Sequence, residues 1–133
     1  MASAKAHARF AALCSTTTHT QAEVLRAVVQ RGLMDKSARV RWKAADRADR
    51  LECRDLLPDI ERAIEAERNR KTRQTLQYHL RMLRDGYIAK DQADGRVSIW
   101  IRTPQGSSGH DVDADAIKKK GIAAVVAELR KAE

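Results

Sequence analysis

The sequence predicts a mainly α-helical protein: an antiparallel α–α repeat over residues 1–85, followed by a small β-hairpin and a helix over residues 86–133 that pack against the repeat as a cap. Three observations predict it. Phe10, Trp42, Tyr78, Tyr87 and Trp100 are the only aromatic residues. The core must therefore come from Leu, Ile, Val and Ala, which suits close-packed helices better than stacked sheets. Four of the six glycines lie beyond residue 90, so a helical front precedes an irregular back. Apolar residues recur at helical spacing up to Gly86 and alternate at strand spacing after it.

The first helix runs from about Ala4 to Cys14, with Ala6, Phe10 and Leu13 on one side. After the polar run Ser15 to Thr20, Thr20 and Glu23 form a capping box that opens a helix from Gln21 to about Leu33, striped by Val24, Leu25, Val28 and Val29. Asp35 is the expected N-cap of a third helix whose inward residues are Val40, Ala44, Ala48 and Leu51. Asp55 is the expected cap of the fourth, with Pro58 tolerated in its first turn and Leu56, Leu57, Ile60 and Ile64 inward. The fifth runs from about Arg70 to Arg84 over Thr72, Leu76, Leu80 and Leu83, and Gly86 ends it. Beyond it, Tyr87 to Lys90 and Val97 to Arg102 pair as a hairpin around Asp94-Gly95. Pro104 to Gly109 reads as a turn or loop, with a short third strand near His110 to Val112. A last helix starts at Asp113 or Asp115, bends near Gly121, and carries Ile122, Val125, Val126 and Leu129 inward. Trp100 points away from Val97, Ile99 and Ile101 and is expected to pack under that helix; Trp42 lies off its helix's apolar stripe.

The chain's 133 residues allow one domain with an appendage and a modest core. Twenty-six Lys and Arg stand against 18 Asp and Glu, a net charge of +8. That excess favours an acidic partner: nucleic acid, an anionic surface or an acidic protein. No apolar stretch approaches the length needed to cross a membrane, so no membrane insertion is expected. Cys14 and Cys53 lack a ligand rhythm, which makes a reducing, cytoplasmic setting the default. The acid-free residues 1–22 read as a helix and loop rather than a transit peptide.

The chain repeats itself. A shift of 32 residues brings Val40-Arg41, Ala44, Ala48 and Leu51 onto Thr72-Arg73, Leu76, Leu80 and Leu83, and Asp35 onto Glu67. The same shift carries Arg41 back onto Arg9. The segment GLMDKSARVRWKAADRADRLECRDLLPDIERAIEAE resembles a HEAT repeat of the short bacterial kind, in the turn acid Asp35, the Val40-Arg41 opening, the pair Ala44 and Ala45, and Leu56-Leu57-Pro58. The resemblance spans residues 5 to 85 and implies a scaffold that binds proteins or, in basic members, DNA. The second copy departs from it at Thr72 and in lacking the alanine pair. A second segment, RQTLQYHLRMLRDGYIAKDQADGRVSIWI, resembles the recognition helix and wing of a winged helix-turn-helix regulator. That likeness implies DNA against Gln74 to Leu83, with the Asp94-Gly95 hairpin as the wing.

Two basic groups are candidate partner-binding sites. Lys36, Arg39, Lys43, Arg47 and Arg50 fall on one narrow face of the third helix, a ladder of cations able to follow phosphates or acidic side chains. Replacing Lys43 and Arg47 with alanine is then expected to weaken binding at constant stability. The alternative, nucleic-acid group is Arg70, Gln74, Gln77, Arg81 and Arg84 on the fifth helix, where Arg and Gln supply donors for phosphates and base edges. Arg41 and Arg73 are read as structural, each reaching its own unit's turn acid, Asp35 or Glu67. Catalysis is not expected. His7, His19, His79 and His110 have no metal-ligand spacing, Gly106 to Gly109 lacks the context of a phosphate loop, and Lys118 to Lys120 read as a solvated helix end. No cofactor or metal is implied, and the sequence leaves the partner's identity and the oligomeric state open.

Overall fold

The computed structural model describes residues 4–132. The chain divides into two compact units, Met1–Arg84 and Asp85–Glu133, mainly helical with one small sheet, as the periodicity predicts. In the first unit the helices are α1 (Ala4–Cys14), α2 (Ala22–Leu33), α3 (Ala38–Arg50), α4 (Leu57–Ala66), preceded by a 3-10 turn at Arg54–Leu56, and α5 (Arg70–Asp85). Their stripes meet in one core, with Leu13, Val29, Leu33, Val40, Ile60 and Leu76 at its centre. Small residues set the spacing of α2 and α3. A Cβ on Gly32 would stand 2.8 Å from the Ala44 Cβ, so only glycine lets the two backbones approach this closely. Val24 is the exception to the second helix's stripe, at 49% exposed.

None of the three expected caps forms. Thr20 opens no capping box: its hydroxyl accepts the Thr17 N–H at 2.9 Å, and Gln21 is the N-cap of α2 with no side-chain bond. Asp35 does not cap α3, which starts after Ser37. Instead its carboxylate accepts the Ser37 N–H at 2.9 Å and the guanidinium of Arg9. Asp55 lies inside the 3-10 turn and pairs with Arg26 on α2. The start of α5, by contrast, does have a side-chain cap, Asn69 Oδ1 accepting the Thr72 N–H at 3.0 Å.

The second unit is a three-stranded antiparallel meander, β1 (Tyr87–Asp91), β2 (Arg96–Thr103) and β3 (Gly106–Asp113), followed by α6 (Ala114–Lys120) and α7 (Ile122–Lys131). Gly121, at φ +86°, makes the break between the last two. Val97, Ile99 and Ile101 face Val125 and Val126 of α7. The third strand is longer than expected, because Ser107, Ser108 and Gly109 pair with Arg102, Ile101 and Trp100 rather than forming a loop. Trp100 is not under the last helix. That helix covers the opposite face of the sheet, and Trp100, 46% exposed, lies over its cross-strand partner Gly109, where an added Cβ would stand 2.8 Å from the ring.

Candidate functional site

The 32-residue register appears in the ion pairs. Arg9 Nε and Nη2 donate to the Asp35 carboxylate at 2.5 and 3.0 Å, and Arg41 Nε and Nη2 donate to Glu67 at 2.7 and 3.1 Å. Both pairs span 26 residues, and both acids also accept the backbone N–H two residues on. Arg41 reaches back as well, Nη1 donating to the Asp35 carbonyl at 2.8 Å, and Arg73 does the same to the Glu67 carbonyl. The two arginines are thus structural, but each meets the carbonyl of its own turn, and Arg41 takes the carboxylate of the next one. The Arg9 hydrogen bond holds the Asp35 carboxyl below the usual carboxylate range, as Arg41 does for Glu67.

The same interval of 32 residues relates Phe10 on α1, Trp42 on α3 and Gln74 on α5. Phe10 and Trp42 stack, ring centroids 6.4 Å apart and planes inclined by 24°. The Arg39 guanidinium lies 4.1 Å from the Phe10 centroid, and Lys43 Nζ is 5.7 Å from Phe10 and 5.5 Å from Trp42. Beside them a shallow groove of about 520 Å³ opens between α3 and α5, lined by Trp42, Lys71, Gln74, Thr75, Tyr78 and His79. The volume is within the ~300–1,000 Å³ of small-molecule clefts, and the lining has no carboxylate.

Acids lie buried beneath this surface. Asp46 pairs with Lys43 at 3.1 Å and Arg50 at 2.9 Å. Burial pushes its carboxyl up, but the two cations outweigh burial and hold it below the ordinary range. His79 Nδ1 stands 2.8 Å from Asp49 Oδ2, both side chains under a tenth exposed. Burial lowers the imidazole to about 4, so the neutral ring donates Nδ1–H to Asp49, and Nε2 is left as its acceptor.

Within the third-helix ladder, Lys36, Arg39 and Arg50 are exposed. Lys43 and Arg50 neutralise Asp46, while Arg47 ties α3 to the end of α1, donating from Nε to the Thr16 hydroxyl at 3.1 Å and from Nη2 to its carbonyl. The expectation that Lys43 and Arg47 can be removed at constant stability is therefore corrected, since both hold the fold. The fifth-helix group behaves differently. Arg70, Gln74, Gln77, Arg81 and Arg84 are all exposed, and at 100° per residue they fall within about 80° of arc, opposite the buried Leu76, His79 and Leu83. Sequence reasoning missed Phe10, Lys71, Thr75 and Tyr78, and the Asp49–His79 pair. Carrying Trp42 back by the repeat interval would have found Phe10.

Cys14 and Cys53 are free thiols. Among the described residues no cluster of His, Cys, Asp and Glu is arranged to hold a metal, and no helix is long and apolar enough to cross a membrane. No protein-family model matches the chain, and neither a curated protein nor a solved structure is found to match it.

Proposed function

We propose that this protein is a non-enzymatic binding module of HEAT-like helical-repeat character, and that the face built by α1, α3 and α5 receives an acidic partner. The observation that carries the reading is the lining of that face: Arg39 and Lys71 are exposed around stacked Phe10 and Trp42, and every acid beneath already has a cation or a histidine. An anion arriving there meets the exposed Arg39 and Lys71, and the groove lining contains no carboxylate. The repeated Arg9–Asp35 and Arg41–Glu67 pairs support the repeat character. Titration of fluorescently labelled single-stranded DNA, duplex DNA and polyglutamate across a salt series tests the reading. Binding at physiological salt that weakens about five-fold or more in Arg39→Ala/Lys71→Ala is the expected result. Failure of all three polymers to bind would refute it.

A second reading rests on a specific observation, the wholly exposed Arg70, Gln74, Gln77, Arg81 and Arg84 face of α5. It makes the chain a winged-helix DNA-binding regulator that reads duplex in the major groove. The two readings separate in one comparison. Under the first, Gln77→Ala/Arg81→Ala leaves binding nearly intact; under the second, it abolishes preference among duplex sequences.

A further inference from the structure

Resting on the acidic-partner reading, we propose that the α3–α5 groove is a base-stacking site for single-stranded nucleic acid. The groove is walled by an aromatic from each helix, Trp42 on α3 and Tyr78 on α5. Tyr78 is 39% exposed and is held edge-on to His79 at a centroid distance of 5.2 Å. The ring beneath it cannot move freely, because His79 is buried and bonded to Asp49. Trp42 is fixed in turn by its stack on Phe10 and by Lys43. Two aromatic side chains in the groove lining are of little use to a purely ionic partner. They suit planar rings, since every base offers a π-face and stacking on an aromatic side chain is tolerant of sequence.

The polar lining fits the same occupant. Gln74 supplies an amide and Thr75 a hydroxyl, and the neutral His79 keeps an acceptor nitrogen, so both donors and acceptors are present for a base edge. Lys71 lines the groove and Arg39 lies over Phe10, the ring stacked on Trp42, so cations stand on both helices for the phosphates of a bound strand. In duplex DNA the bases are paired and stacked on one another, so their faces are not presented to such walls. An acidic peptide would use the cations but leave the aromatic walls without a partner.

The experiment uses the full chain with Trp100→Phe, which leaves Trp42 as the only tryptophan. Labelled oligothymidylate, an abasic oligonucleotide of equal length and charge, a duplex and polyglutamate are titrated by anisotropy, and Trp42 fluorescence is followed in parallel. The expected result is binding of oligothymidylate about ten-fold or more tighter than the abasic strand, with quenching of Trp42. Tyr78→Ala, a change at an exposed position, should weaken oligothymidylate roughly 5- to 100-fold, the range of one lost stacking contact, and should leave the abasic strand unaffected. Lys71→Ala should weaken both strands alike and reduce the salt slope by about one contact. Equal affinity for the two strands, or binding without quenching, would overturn the stacking site while leaving the acidic-partner reading in place. Binding of polyglutamate alone would overturn it in favour of an acidic protein partner. Absence of binding to any of the four would overturn both.

Discussion

Replacing Arg41 with methionine removes the cation from the Arg41–Glu67 pair while keeping most of the side chain's stem. Three hydrogen bonds disappear: two to the Glu67 carboxylate at 2.7 and 3.1 Å and one to the Asp35 carbonyl at 2.8 Å. Glu67 is left with its side chain 2% exposed, held by backbone N–H groups, that of Asn69 at 3.1 Å and that of Arg68, and by no cation in this pair. Breaking a buried ion pair by deleting one partner costs about 3–5 kcal/mol, because the remaining charge is uncompensated. Arg41 itself is 20% exposed, so water can enter where the guanidinium was, and about 3 kcal/mol is the expected loss. For a chain of this size that lowers Tm by roughly 10 °C. The pH dependence carries a sign. Glu67 has a lowered pKa in the folded protein, so its stabilising share is present above the unfolded value of about 4.3 and fades as pH falls through the folded value. The difference between wild type and Arg41→Met should therefore be largest at pH 7 and shrink once pH falls below about 4.3, towards pH 3. Urea denaturation followed by circular dichroism at both pH values measures it, and Arg41→Met/Glu67→Gln should recover most of the stability. A loss below about 1 kcal/mol at pH 7, unchanged by pH or by the second substitution, would refute the view that this pair locks successive turns together.

Gly32→Ala should destabilise the fold, by up to about 2 kcal/mol in thermal denaturation. The ~1 kcal/mol gained in helix propensity is outweighed by overpacking of about 1–3 kcal/mol against the Ala44 Cβ, only 2.8 Å away. For His79, a folded pKa of about 4 against about 6.5 unfolded means that the unfolded chain binds more protons between those values. Stability should fall by roughly 3 kcal/mol as pH drops from 6.5 to 4, and His79→Gln should flatten that limb in acid titration of unfolding. Arg47→Ala should cost about 1–3 kcal/mol by leaving the buried Thr16 hydroxyl and carbonyl without their guanidinium. A variant as stable as wild type would return Arg47 to the pool of surface cations.

How far the fold was legible depends on how local its causes are. Helix stripes such as Val40, Ala44 and Ala48, and the alternation Val97, Ile99, Ile101, were readable because side-chain period is a property of the backbone alone. Caps were misread where a distant residue competes for the same oxygen. Asp35 has good N-cap chemistry, but the Arg9 guanidinium comes from α1 to take its carboxylate, and Ser37 becomes the start of the helix. The third strand was hidden for a related reason. Ser107, Ser108 and Gly109 have the composition of a loop, and only the register that sets Gly109 opposite Trp100 shows why a missing side chain is needed there.

The site was less legible than the fold, because an angular count on a helix wheel groups cations without saying what each one touches. Lys43, Arg47 and Arg50 share a face, yet Lys43 and Arg47 are tied to Asp46 and Thr16 within the fold, and Arg50, although exposed, pairs with Asp46. The repeat interval carries more information than the wheel. Applied to Arg9 and Arg41 it gives two ion pairs with the same 26-residue span. Applied to Trp42 it gives Phe10 on one side and Gln74 on the other, which is the path from the stacked aromatics into the groove. A single helix records only its own face. In the proposed repeat, α1, α3 and α5 share one surface, and the residues that no single helix marks, Phe10, Lys71 and Tyr78, are the ones it adds.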